Sequence, residues 1–165
     1  VPQSQLYSTQ PATPPTIQNA SFESPSVGAG NQQYRPAGAS WVFTGQSGVV
    51  ANGSGWTPTN APAGTQIAML QSTGTVASIA QTLNFTASGN YTLSFGAAQR
   101  TSWGGAQALQ IKVDGVNVGS VITPSGASFA TYSVPFSVSA GNRTLSFNTV
   151  NNSGDNTCFI DAVTL

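Results

Sequence analysis

Two carboxylates at opposite ends of the chain most demand a chemical explanation: Glu23 in Asn19-Ala20-Ser21-Phe22-Glu23, and Asp161 in Phe159-Ile160-Asp161-Ala162-Val163-Thr164-Leu165. Under the two-residue period of a strand, Phe159, Asp161, Val163 and Leu165 share one face, which lines an aspartate up with three core-type side chains. A lone buried carboxylate must be protonated, paired with a cation or bound to a metal. Cations are scarce, since the 165 residues include only four Lys and Arg and no His. Glu23, beside an aromatic at the start of the first predicted strand, supplies a second carboxylate. The pair predicts one hard-cation site, for Ca2+, filled out by backbone carbonyls. The alternatives are that Asp161 caps a bulge or pairs with Arg143 or Arg100.

The other acids leave little for catalysis. The chain has four in all, Glu23, Asp114, Asp155 and Asp161; two go to the metal, Asp114 to a turn, and Asp155 alone remains. Acid–base hydrolysis of a glycoside uses two positioned carboxylates. Without His, a Ser-His-Asp triad and a His-ligated metal are impossible. No Gly-rich turn leads into a helix, so no phosphate- or dinucleotide-binding loop is present. The sequence predicts a protein that is not an enzyme. A hydrolase pairing Asp155 with Glu23 is the weakest alternative.

Composition sets the elements that must position these residues. With 39% hydrophobic, 5% charged, 18 Gly and 10 Pro, the chain is too apolar for disorder and too rich in Gly and Pro for a helical protein. The formal net charge is zero and no Lys/Arg run occurs, which speaks against nucleic-acid and anionic-membrane partners. No apolar run reaches membrane-spanning length. Cys158 is the only cysteine, so an internal disulfide and a thiolate-rich metal site are excluded; its setting between Thr157 and Phe159 reads as a small packed residue. Low charge, abundant hydroxyl and amide side chains and a Pro-rich leader predict a secreted, extracellular module, a mature fragment or excised domain of a longer protein.

Residues 1–15 mix Pro with Ser, Thr and Gln without apolar periodicity and read as an interdomain linker, leaving 16–165 as a single domain. From there short strands alternate with Gly, Pro, Asn and Ser clusters: 16–19, 40–44, 48–52, 65–71, 75–83, 90–100, 106–113, 116–122, 128–138, 142–150 and 157–165. Tyr91, Leu93, Phe95 and Ala97 oppose Thr92, Ser94 and Gly96, and Tyr132, Val134, Phe136 and Val138 oppose Thr131, Ser133, Pro135 and Ser137. Such alternation buries one face of an antiparallel sheet. Val113-Asp114-Gly115-Val116 suits a type I′ hairpin. The expected fold is all-β, a two-sheet antiparallel β-sandwich of jelly-roll type.

Asn19-x-x-Phe22-Glu23 at the start, the Asp114-Gly115 hairpin, and Phe159-Ile160-Asp161-x-Val163-x-Leu165 at the end resemble the galactose-binding-like β-sandwich modules, in particular the calcium-containing carbohydrate-binding modules of bacterial polysaccharide-degrading enzymes. Asn60-Ala61-Pro62-x-Gly64-x-Gln66-x-Ala68-x-Leu70-Gln71 and Ala98-Gln99-Arg100 are similar to the same group. The resemblance spans 16–165. It implies a structural Ca2+ with Glu23 and Asp161 as side-chain ligands, and an accessory role beside a covalently attached catalytic domain such as a glycoside hydrolase.

No motif identifies a sugar subsite, so chemistry must supply it. Sugar rings stack their C–H faces on aromatics and offer hydroxyls to amides, carboxylates and guanidinium groups. Trp41, in the apolar run Ser40-Trp41-Val42-Phe43, reads as core. Trp56 and Trp103 lie in Gly-rich loops and are candidate platforms or loop anchors; Tyr34, beside Arg35, is a lesser candidate. Arg100 and Gln99 end the strand before the Trp103 loop, and a guanidinium there could take a sugar hydroxyl or an acidic sugar's carboxylate, or pair with Asp155 or Asp114. Asn52, Gln71 and Gln46 could add amide contacts. The sequence therefore predicts a monomeric, non-catalytic module that binds a polysaccharide or oligosaccharide, a neutral β-linked plant or microbial glycan. The alternative is a structural or adhesive β-sandwich domain of a secreted or surface protein.

Overall fold

The strands that the apolar/polar alternation predicts pair into two antiparallel sheets. The computed structural model describes residues 12–56 and 59–165; most of the predicted linker lies outside them, and 12–15 run without regular structure. Eleven strands follow: β1 Gln32–Tyr34, β2 Val42–Thr44, β3 Gln46–Ala51, β4 Gln66–Ser72, β5 Ser78–Phe85, β6 Gly89–Gln99, β7 Leu109–Val113, β8 Val116–Ile122, β9 Ala130–Val138, β10 Gly141–Thr149 and β11 Asn156–Thr164. One sheet runs β1-β3-β4-β11-β6-β9 and the other β2-β5-β10-β7-β8. No helix occurs among the described residues. The fold is the expected jelly-roll-like sandwich, and its core includes Leu70, Leu93, Phe95, Ile111, Phe147 and Ile160.

Local chemistry explains the best-predicted pieces. Asp114 and Gly115 both take positive φ, 50° and 78°, as the turn between β7 and β8 requires. Cys158 is fully buried in the core, where desolvation pushes its thiol far above the ordinary range and keeps it unreactive. Trp41 is 5% exposed, packs 5.3 Å from Phe22 and 6.3 Å from Phe147, and donates its indole N–H to Asn19 O at 2.9 Å. Truncation of this ring leaves a cavity and removes one of the two donors to Asn19 O, the other being the Phe22 N–H at 3.1 Å. Trp41→Ala is expected to cost roughly 3–5 kcal/mol in chemical denaturation; a loss under about 1 kcal/mol would remove it from the core.

Two sequence expectations are corrected. Residues 16–19 form no strand: Ile17 alone enters the core, and the Gln18 N–H bonds the Gln81 side chain at 2.8 Å instead of a ladder partner. In its place Gln32–Tyr34 forms β1, an exposed edge strand with no alternation to betray it. The second correction concerns β11. Cys158 and Ile160 face the core, so Phe159 and Asp161 point to the opposite, outer face of their sheet. A bulge between Asp161 and Thr164, with Ala162 at φ 52°, then turns Val163 inward. Asp161 is fully buried, but it does not share a face with Val163.

Candidate functional site

The outer face of the six-stranded sheet carries both groups of predicted site residues. Register places them in rows across the strands. Gln46, Gln71, Thr157 and Arg100 form one row; Tyr34, Gly48, Met69, Phe159 and Ala98 form the next; Ile67, Asp161 and Gly96 belong to a third. Val50, Ile67, Met69 and Phe159 make an apolar floor, on which Trp56, Ala61 and Phe129 pack.

At the end of the third row the two carboxylates bind one segment, residues 63–66. Asn19 folds the turn ahead of Glu23: its amide donates to Ser24 O at 2.6 Å and Ala39 O at 2.7 Å and accepts from Ser24 N at 3.1 Å. Phe22, at φ 59°, sinks fully into the core and leaves Glu23 facing the segment before β4. Glu23 Oε1 accepts from the Thr65 and Gln66 N–H groups, each at 2.9 Å, and Oε2 accepts from the Thr65 hydroxyl at 3.1 Å. Asp161 Oδ2 accepts from Ala63 N at 2.9 Å. Gly64, between these donors, has φ 71°, which favours glycine, and a Cβ there would lie 2.3 Å from the Glu23 carboxyl and displace it. Asp161 Oδ1 is buried and has no hydrogen-bond partner. The arginines considered for it go elsewhere: Arg143 pairs with Asp114 at 3.1 Å, and Arg100 lies over Trp56.

Burial pushes the Asp161 carboxyl up to about 6, the Ala63 and Ala162 N–H groups oppose the shift, and the charge of Glu23 adds to it. The folded state thus holds the proton more tightly than the unfolded chain, whose carboxyl titrates near 3.8. Without a bound cation, this group's contribution to stability is full at low pH. It is lost as pH rises from about 4 to about 6, by roughly 3 kcal/mol. Melting curves in chelator across that range are expected to fall for the wild type and to flatten in Asp161→Asn; a wild-type profile no steeper than the variant's would contradict the burial.

The first two rows gather a different chemistry. The Arg100 guanidinium lies 4.1 Å from the centre of the Trp56 ring, and Tyr34 meets that ring edge-on at 6.0 Å. Gly48 has no side chain to separate Tyr34 on β1 from β4, and the Tyr34 hydroxyl bonds Gln71 Oε1. Gln71 Nε2 donates to Asp155 Oδ1 at 2.7 Å. Burial, then the Asp155 charge, raises the Tyr34 phenol, while Arg100 and Arg35 act the other way. The Trp103 loop is fixed beside Asp155, since Gly105 N donates to Asp155 O at 2.9 Å, and Trp103 itself is 63% exposed. Two buried polar atoms here have no partner, Arg100 Nε and Thr157 Oγ1.

Of the predicted residues, Tyr34, Trp56, Gln71 and Arg100 come together and the backbone next to Trp103 docks alongside; Gln99 and Asn52 do not join them. The Gln99 amide is buried and spans Gln107 and Pro124, donating at 2.8 and 2.9 Å and accepting from Gln107 N at 3.0 Å. Asn52 Oδ1 accepts from Ala61 N at 2.8 Å and braces its own loop. Sequence reasoning did not select Asp155 or Thr157 as binding residues. Asp155 carried a signal as the one acid without an assigned duty; Thr157 carried none. A surface depression of about 590 Å³ between Pro15–Gln18 and β5 offers neither an aromatic nor a charged side chain.

The model of the HpiC1-like family, described as HpiC1 cyclase, matches residues 13–165. No curated protein matches the chain significantly in sequence. Among solved structures, the TmCBM61 module in complex with β-1,4-galactotriose superposes with a TM-score of 0.60 at 17% identity, covering 92% of this chain and 97% of its own. The CBM22-1 xylan-binding domain of Paenibacillus barcinonensis Xyn10C gives a TM-score of 0.55 at 12% identity, over 82% and 93%. The CBM35 of the same organism gives 0.50 at 20% identity, over 82% and 99%. At these identities the likeness is one of fold, and the fold is that of carbohydrate-binding modules.

Proposed function

We propose that this chain, which belongs to the HpiC1-like family, acts as a non-catalytic carbohydrate-binding module that brings an attached enzyme to a polysaccharide, a plant or microbial β-glycan. The observation that carries the reading is the aromatic and polar cluster on the outer sheet face: Tyr34 and Trp56 beside the row Gln71, Thr157 and Arg100, with the loop of the exposed Trp103 docked alongside through Gly105. Aromatic surface suits the C–H faces of sugar rings, and a guanidinium without an ion-pair partner suits their hydroxyls. TmCBM61, with the same fold, was solved with a galacto-oligosaccharide. The purely structural or adhesive alternative would be favoured by buried loop tryptophans; Trp103 is exposed, while Trp56 is half-buried against the sheet. A secreted, monomeric module fits the low charge and the hydroxyl- and amide-rich surface.

A structural Ca2+ held by Glu23 and Asp161 belongs to the same proposal. It is supported by the orphaned Asp161 Oδ1, by the Glu23 charge that acts on it and by Gly64, where a Cβ would displace the Glu23 carboxyl. The described residues bring no third acidic, His or Cys side chain to the pair, so carbonyl oxygens or water would complete the shell.

The family's description favours a second reading, a cyclase in which Asp155 would be the acid at the site. The two readings part on turnover. As a binding module, the purified domain should return every saccharide it retains unchanged in mass and release no reducing ends, in wild type and Asp155→Asn alike. Product formed by the wild type and lost in Asp155→Asn would overturn the binding-only reading.

A further inference from the structure

The centre of the polar row holds an uncompensated cation. Thr157 sits between Gln71 on β4 and Arg100 at the end of β6, and the Arg100 N–H donates to Thr157 O at 3.1 Å. Thr157 is fully buried, yet its hydroxyl has no partner; neither has the neighbouring Arg100 Nε. The ion pair among the described residues is Arg143 with Asp114, so the Arg100 guanidinium meets no carboxylate. Asp155 joins the cluster through Gln71, whose Nε2 donates to its Oδ1 at 2.7 Å, and forms no ion pair with Arg100. Trp56 lies against the guanidinium at 4.1 Å, which fixes its plane and strips water from one side. A partly desolvated arginine without a carboxylate partner is a costly arrangement for the free protein. Thr157 Oγ1 and Arg100 Nε are closed off from solvent, but Arg100 as a whole is only half-buried, and one planar anion on its open side would compensate the charge.

Granted the carbohydrate-binding reading, we propose that the site takes an acidic glycan, with the carboxylate of a uronic acid ring accepting from the Arg100 fork. Guanidinium and carboxylate match in planar, paired geometry. Arg35, next to Tyr34 in the chain, donates from its guanidinium to Gly45 O at 2.5 Å and adds positive potential near the Tyr34 phenol. Asp155 opposes it, and so confines the ligand carboxylate to the Arg100–Thr157 side while leaving hydroxyls for Asp155 and Gln71. The zero net charge of the chain, which suggests a neutral ligand, does not describe this spot, where Arg100 stands unpaired.

The test is affinity gel electrophoresis on glucuronoxylan, β-1,4-mannuronan and polygalacturonate, each run beside its carboxyl-reduced form, with neutral galactan and xylan as further lanes. At least one acidic polymer is expected to retain the protein about tenfold more strongly than its reduced partner, and added salt should weaken that retention. Arg100→Gln should abolish the difference. Arg100→Lys, which keeps the charge but loses the planar fork, should shrink the difference at least about threefold; this second variant decides the matter should Arg100→Gln fail to fold. Equal retention of acidic and reduced forms, retention of neutral glycans alone, or discrimination that survives both substitutions would overturn the acidic subsite and leave the carbohydrate reading standing. Retention by none of the polymers would remove both.

Discussion

Trp103→Ala is expected to weaken retention on the bound polysaccharide by at least about tenfold, on the order of 1.4 kcal/mol, with no change in melting temperature. The separation of the two effects follows from geometry. Trp103 is 63% exposed and rests on a loop held through Gly105, so its indole supports little of the fold. Trp56→Ala should weaken retention as much, but not cleanly: its ring packs on the floor of Val50, Ile67, Met69 and Phe159 and carries Arg100. A fall in melting temperature should accompany it. Retention unaffected by loss of both rings would detach binding from this face.

The second large effect is on stability. A cation bound only by the native state stabilises by mass action, by about 4 kcal/mol at a thousandfold excess over Kd, or roughly 8–16 °C in a domain of this size. Chelator should lower the wild-type melting temperature without abolishing the fold, since the core does not depend on Glu23 or Asp161. Asp161→Ala should melt identically with EDTA and with added Ca2+. A wild-type melt indifferent to both reagents would eliminate the site.

What the sequence disclosed, and what it hid, divides along physical lines. The alternation in 90–100 and 128–138 and the Asp114-Gly115 turn are local signals, and β6, β9 and the β7–β8 hairpin stand where those signals put them. The face of Asp161 was not legible, because one bulge residue, Ala162, reverses the alternation without any Gly or Pro to announce it. β1 was hidden for the opposite reason: Gln32-Gln33-Tyr34 is an exposed edge with nothing to bury. The candidate site depends on register between strands distant in sequence. Tyr34 and Gln71 are 37 residues apart, and Gln71 and Asp155 are 84 apart. Residue types could nominate Tyr34, Trp56, Gln71 and Arg100 one at a time; only pairing through β3, β4, β11 and β6 sets them side by side and sends Gln99 to the interior. Thr157 shows the limit plainly. A threonine in a strand is ordinary, and only its place beside Arg100, with no partner for its hydroxyl, marks it out.

Affinity gel electrophoresis of the wild-type domain beside Trp103→Ala, over a panel of neutral and acidic soluble polysaccharides, tests the proposed function most directly. Retardation of the wild type by at least one polymer, relieved by free oligosaccharide of the same kind and by the Trp103 substitution, is the expected result. Unretarded migration of the wild type through every gel, at protein concentrations where the fold is intact, would contradict it.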